Sequence, residues 1–212
     1  LGDREAAAIV GQLCAGLDAA HESGVLHRDL KTSNVMLVPC GDAVPRAVIM
    51  DFGLARPLAG NTTTAAITLT NTGDCPGTPQ YMAPEQLSGG NVGAAADVYA
   101  LGVIAYRMLT GHYPFEGGSR WQDMMRRLTA DPTPLRTWRP DVPPQWEVIV
   151  GRCLTREPTL RPANGRAVMS MLPARPHHVR RRWALAVVLA AAFLGSAGSE
   201  RGRTHEPLPE EK

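Results

Sequence analysis

The chain has 212 residues, with 22 Lys and Arg against 20 Asp and Glu, a formal net charge of +2, and 44% hydrophobic against 20% charged residues. This is an ordinary globular composition, long enough for one well-buried domain with appended segments. So small a charge, with neither an aromatic RNA-binding signature nor zinc-finger spacing, excludes nucleic acid as the main partner. The four cysteines, Cys14, Cys40, Cys75 and Cys153, form no C-x-x-C pair. They read as free thiols of a reducing compartment, not as a disulfide framework or a metal site.

In chain order, Ile9, Val10, Leu13, Leu17 and Ala20 recur at helical spacing, with Asp3 as the expected N-cap and Ser23-Gly24 as the stop. No secretory signal opens the chain, and its start at Leu1 in place of Met leads to the expectation of a fragment or processed product. Val35–Val38 and Ala47–Met50 read as short strands joined by the turn-rich Pro39-Cys40-Gly41-Asp42. Residues 54–82 are rich in Thr, Gly and Pro and too polar for a core, a length that inside a compact domain points to a functional loop. Helical spacing returns after Pro84, over Ala94–Thr110 with Gly111 as its stop, and at Arg120–Thr129, Pro144–Leu154 and Ala163–Leu172. The first 172 residues are therefore expected to be mainly helical with one early hairpin. Residues 173–182 form a basic linker, 183–198 carry no charge, and 199–212 are a polar tail.

The chemistry is concentrated in His27-Arg28-Asp29, followed by Lys31 and Asn34, and then, after the second strand-like run, Asp51-Phe52-Gly53. An Asp and an Asn on adjoining strand ends can face one divalent cation, and Mg²⁺ takes oxygen ligands of this kind together with phosphates. H-R-D-L-K-x-x-N, then D-F-G, then Ala83-Pro84-Glu85 resembles the motif set of the protein kinases. Gly77–Met82 resembles the docking loop of Ser/Thr kinases, Asp97–Gly102 the central helix of their large lobe, and Arg161-Pro162 the site that pairs with the A-P-E Glu. Lys31, two residues after Asp29, favours the Ser/Thr branch, and the whole is similar to the eukaryotic-like Ser/Thr kinases of bacteria.

The resemblance implies a large kinase lobe over residues 1–172 (mainly α within an α+β family, with a small hairpin at the cleft) that uses ATP and Mg²⁺ or Mn²⁺ to phosphorylate Ser and Thr of protein substrates. It implies that Asp29 accepts the substrate proton, Lys31 neutralises the transferred phosphoryl group, and Asn34 and Asp51 hold the metal. Arg28 would pair with a phosphorylated residue, for which Thr70 and Thr72 are the candidates, with Thr68 and Thr62–Thr64 weaker. Thr78 would contact the catalytic Asp and Lys. His27 and Asp97 are expected to pack and brace, and Glu85 and Arg161 to form a structural ion pair. A homodimer for trans-autophosphorylation is a further candidate partner.

Some of the kinase pattern is missing or altered. No G-x-G-x-x-G and no V-A-x-K precede His27, so the small lobe that roofs the ATP cleft is expected to be absent from this chain. A chain without it is expected to bind Mg-ATP poorly and to show little autophosphorylation. Cys75-Pro76 replaces the usual apolar pair, Arg107 stands where a Glu is common, and the connection Pro39–Arg46 looks long.

Trp183–Gly198 would span about 24 Å as a helix against a hydrocarbon core of about 30 Å. Snorkelling by Arg182 and Arg201 could close that gap. A single C-terminal membrane helix with the kinase lobe on the cytoplasmic face is expected. The rival readings are a catalytically silent, membrane-anchored kinase-like scaffold and, more remotely, a soluble helical domain with accidental motifs.

Overall fold

A computed structural model describes residues 1–41, 43–52 and 79–173. The candidate residues Thr62–Thr64, Thr68, Thr70, Thr72 and Thr78, with Gly53 and the segment 183–198, lie outside the described residues. Among the described residues no helix is long and apolar enough to cross a membrane.

The first helix, α1 (Asp3–Glu22), buries Ile9, Val10, Leu13 and Leu17 on one face. Its N-cap is Gly2, which supplies no side-chain acceptor. Asp3 is inside the helix and spends its carboxylate on Arg139, 2.8 Å away, so the expected Asp3 cap is corrected: a tertiary ion pair claims the side chain. Ser23 closes α1, and Gly24 follows with φ 74°. After a 3₁₀ turn at Thr32–Asn34 come β1 (Val35–Cys40) and β2 (Ala43–Ile49), an antiparallel pair in the register Val35↔Ile49 to Cys40↔Ala43. The strands extend over Pro39 and Arg46, so most of the long connection expected there is strand, with Arg46 paired to Val38 and Pro39 unpaired at an irregularity between Val38 and Cys40.

Gln12 of α1 fixes this hairpin. Its amide donates to Pro45 O at 3.0 Å and accepts from Ala47 N at 3.0 Å, while Ile49 packs on Gly16. The hairpin exposes Met36, Leu37, Val38 and Val44.

A second 3₁₀ turn, Pro79–Tyr81, leads into α2 (Pro84–Ser88). The 17-residue α3 (Ala94–Thr110) is apolar on every side and buried along most of its length, as a helix must be at the centre of a domain. It ends at Gly111, whose φ of 80° is the left-handed cap. Around it lie α1, α5 (Leu135–Trp138) and α6 (Pro144–Cys153). Gly102 lets α6 approach closely, since a Cβ there would stand 2.6 Å from that of Cys153.

Ser119 caps α4 (Arg120–Thr129), accepting from Gln122 N at 3.3 Å while the Gln122 side chain accepts from Ser119 N at 2.7 Å. Asn164 caps α7 (Gly165–Met171), which packs on α1. The α5 turn, begun by Pro134, was not expected, and α7 starts two residues later than the spacing suggests because Asn164 takes the cap. The result is a mostly helical domain carrying one two-stranded sheet.

Candidate active site

Past Gly24 the chain is pinned by Leu26 and Leu30, both about 1% exposed, and the polar residues between them become the site. His27 is fully buried. Its Nε2 lies 3.0 Å from Met50 O and its Nδ1 3.4 Å from Asp29 N. A carbonyl partner on one nitrogen and an N–H partner on the other assign the neutral Nε2–H tautomer. The ring packs against Phe52, with centroids 4.8 Å apart.

Arg28 has φ 63°, a left-handed conformation unfavourable for a residue with a Cβ. Asp97, 1% exposed on α3, is what holds it there. Its Oδ1 accepts from Arg28 N at 2.8 Å, and its Oδ2 accepts from His27 N at 2.9 Å and from His21 Nε2 at 2.8 Å. From the other side Gln86 of α2 donates to Arg28 O at 2.8 Å. Neither His21 nor Gln86 carries a sequence motif. The available signal for His21 is its place in the last turn of α1, six residues before His27.

The clamp aims the next residues. Asp29 and Lys31 meet through an Oδ2–Nζ distance of 2.6 Å, each side chain about one-fifth to one-quarter exposed. Asn34 donates its amide NH₂ to Asp29 O at 3.0 Å, which leaves its oxygen as the free end. Asn34 O accepts from Met50 N at 2.8 Å, so the loop is tied to the residue preceding Asp51. Asp51 is exposed and has φ 60°. Among the described residues Arg28 and Asp51 alone combine a positive φ with a side chain, and they flank the same clamp.

The donors on offer, one amide oxygen and one exposed carboxylate, are hard oxygens of the type a small divalent cation takes alongside phosphate oxygens. No cluster of three or more His, Cys, Asp or Glu side chains fit for a metal occurs among the described residues. Two such donors leave the remaining positions of a small divalent cation to phosphate and water oxygens.

Glu85 and Arg161 form a bidentate pair at 2.7 and 2.8 Å. Arg161 also donates to Thr155 O, Ala95 O and Arg156 O, so its Nε and both terminal nitrogens are engaged, and its Cζ sits 4.9 Å over the Tyr99 ring. The pair is nearly buried and anchors the start of α2 to the turn after α6. Arg127 of α4, buried and unrecognised in the sequence, donates to Pro79 O and braces the same segment. Burial lowers its pKa from the usual guanidinium range.

The protein kinase domain family matches residues 1–172. The chain is 38% identical to the Serine/threonine-protein kinase pkn3 of Myxococcus xanthus over 82% of its own length and 32% of that protein. It is 37% identical to Pkn1 of the same organism over 92% of the chain and 29% of the relative. It is also 37% identical to PknL of Mycobacterium tuberculosis over 79% of the chain and 39% of the relative. The chain thus spans between 29% and 39% of the length of these relatives.

Proposed function

This chain belongs to the protein kinase family, and from that premise we propose that residues 1–172 form the helical lobe of a Ser/Thr protein kinase. The observation that carries the reading is the Asp97 clamp, which fixes Arg28 in a strained conformation and so presents Asp29, Lys31 and Asn34 together. Phosphoryl transfer asks a protein for positioning and charge more than for covalent chemistry, and a clamp of this kind provides positioning.

Asp29 accepts the proton of the substrate Ser or Thr hydroxyl and holds that oxygen in line with the γ-phosphorus of ATP. Lys31, already beside the Asp29 carboxylate, neutralises negative charge on the group in transfer. Asn34 and Asp51 hold a divalent cation, Mg²⁺ in our reading, which when bound offsets the charge of the ATP phosphates. Arg28 pairs with a phosphorylated Thr in this reading, Thr70 or Thr72, with Thr68 a weaker candidate, while Thr78 contacts Asp29 and Lys31. The exposed apolar side chains of the hairpin, Met36, Leu37 and Val38, offer surface for the adenine and for a second lobe.

The sixteen uncharged residues 183–198, flanked by Arg182 and Arg201, anchor the lobe to the cytoplasmic face of a membrane in this reading. The experiment is incubation of the gene's full product with γ-labelled ATP and Mg²⁺, followed by phosphoamino-acid separation. Label on phosphoserine or phosphothreonine supports the proposal. A folded protein that leaves Ser and Thr unlabelled favours the scaffold reading instead.

A further inference from the structure

Gln86 is the third residue of α2, and by that place it is a capping residue. Its Oε1 accepts from Ala83 N at 2.9 Å, across the first turn. Capping uses only half of the amide. The Nε2 donates at 2.8 Å to Arg28 O, 58 residues away in the chain. An N–H partner on one side and a carbonyl partner on the other leave one orientation of the amide in which both bonds form. The first bond is a helix cap, and the second joins the A-P-E turn to the loop that carries Asp29.

Arg28 O belongs to the planar peptide unit that joins Arg28 to Asp29, and Arg28 N to the one that joins His27 to Arg28. Asp97 Oδ1 holds the second unit at 2.8 Å, and Gln86 holds the first. The orientations of these two planes define φ and ψ of Arg28, so the left-handed φ of 63° is gripped from both sides. The Asp97 bond governs how the chain enters Arg28, and the Gln86 bond governs how it leaves toward Asp29. The unit that Gln86 holds also carries Asp29 N, which lies 3.4 Å from His27 Nδ1. From that start the Asp29 carboxylate meets Lys31.

The seat of Gln86 is itself rigid. Its neighbour Glu85 holds Arg161 in the bidentate pair, and Gly90 N closes the end of α2 onto Glu85 O at 2.8 Å. A short, anchored helix therefore presents one amide N–H to the catalytic loop.

We propose that Gln86 is a positioning residue for phosphoryl transfer: by fixing the Arg28–Asp29 peptide unit it aims the Asp29 carboxylate. The proposal rests on the kinase reading above. A small misplacement of a reacting group lowers the rate of the chemical step, so the effect of losing this bond falls on turnover.

The test measures steady-state label transfer from γ-labelled ATP by the gene's full product and its Gln86→Glu and Gln86→Leu variants, with circular dichroism as the check of fold. Gln86→Leu removes both bonds. Gln86→Glu keeps an oxygen for Ala83 N but at neutral pH faces Arg28 O with a second acceptor in place of the donor. A residue that only capped α2 would rank Glu above Leu, since Glu caps and suits the positive end of a helix. A residue that positions Asp29 ranks Leu above Glu. Gln86→Leu is expected to lower kcat about tenfold, the scale of one hydrogen bond, and Gln86→Glu to lower it further, with KM for ATP within about twofold of wild type. Hydrogen exchange over residues 26–31 of the 212-residue chain is expected to quicken about tenfold in both variants. Turnover of Gln86→Glu at or above that of Gln86→Leu, a loss confined to KM, or unchanged exchange overturns the proposal and leaves the kinase reading standing. Absence of transfer by the wild type overturns the kinase reading, and the proposal with it.

Discussion

The carboxylate of Asp97 and the backbone amide of Arg28 stand 2.8 Å apart although 69 residues separate them. The same carboxylate takes His27 N and His21 Nε2, so one buried side chain on the central helix sets the path of the loop that carries Asp29. Removing it by Asp97→Ala leaves two backbone N–H groups without acceptors in a buried place and releases the strain at Arg28. The expected loss is about 3 kcal/mol of stability in urea denaturation. Asp97→Asn keeps one acceptor and is expected to lose less. Equal stability of wild type and Asp97→Ala would show that the loop is held by other contacts.

Glu85 and Arg161 are nearly buried together, and each is the other's counter-charge. Glu85→Gln and Arg161→Met should each cost about 3–5 kcal/mol, because the surviving partner remains buried without compensation. The double variant should cost clearly less than the sum, since it removes both charges at once. A urea double-mutant cycle reads this, and additivity would contradict it.

Close packing predicts a graded cost at two glycines. A Cβ at Gly102 meets the side chain of Cys153 at 2.6 Å, while one at Gly165 meets the backbone oxygen of Cys14 at 2.3 Å. The Cβ of Cys153 is held by its own backbone, as the Cys14 oxygen is, so no rotamer change relieves either contact and the shorter one is the worse. Gly102→Ala should therefore cost about 1–3 kcal/mol, and Gly165→Ala more than that, in the same denaturation assay. The opposite order would contradict this packing of α7 on α1.

Alkaline pH should find the buried thiols. Burial, followed by the nearness of Cys153, pushes Cys14 from 9.0 up to about 12, and burial pushes Cys153 from 9.0 up to about 12. A pKa raised in the folded state means that the fold holds the proton more tightly than the unfolded chain does. The resulting stability is complete below pH 9 and is lost as pH climbs toward 12. Burial also raises Tyr99 and Tyr106, which add to the same trend. Cys14→Ala and Cys153→Ala should each flatten the fall of Tm between pH 9 and 12. An unchanged slope in both would contradict the assignment.

The helices α3 and α4 could be read from the sequence to the residue, because a long apolar run ending in Gly and a capping box before an amphipathic turn are local signals. The strands could not. Pro39 and Arg46 look like loop residues, and it is Gln12, far away in the chain, that binds Pro45 and Ala47 and holds the extended backbone. Asp3 shows the same limit, since its ion pair with Arg139 joins residues that no local pattern connects.

At the candidate site, Asp29, Lys31, Asn34 and Asp51 are marked by the resemblance of their motifs to those of the kinases. The groups that hold them in position are not: His21 and Gln86 are ordinary helix residues until the fold places them on Asp97 and on Arg28 O. Arg127 looks like one more surface charge of an amphipathic helix, yet it is buried beneath the turn at Pro79.

The measurement that bears most directly on the central claim compares label transfer from γ-labelled ATP by the gene's full product with that by its Asp29→Asn variant, nucleotide affinity being measured alongside. Loss of the proposed general base should lower the rate by about 10²–10⁴-fold while ATP binds as before. Equal rates in the two proteins would contradict the account, because the loop that Asp97 holds would then present a residue that transfer does not use.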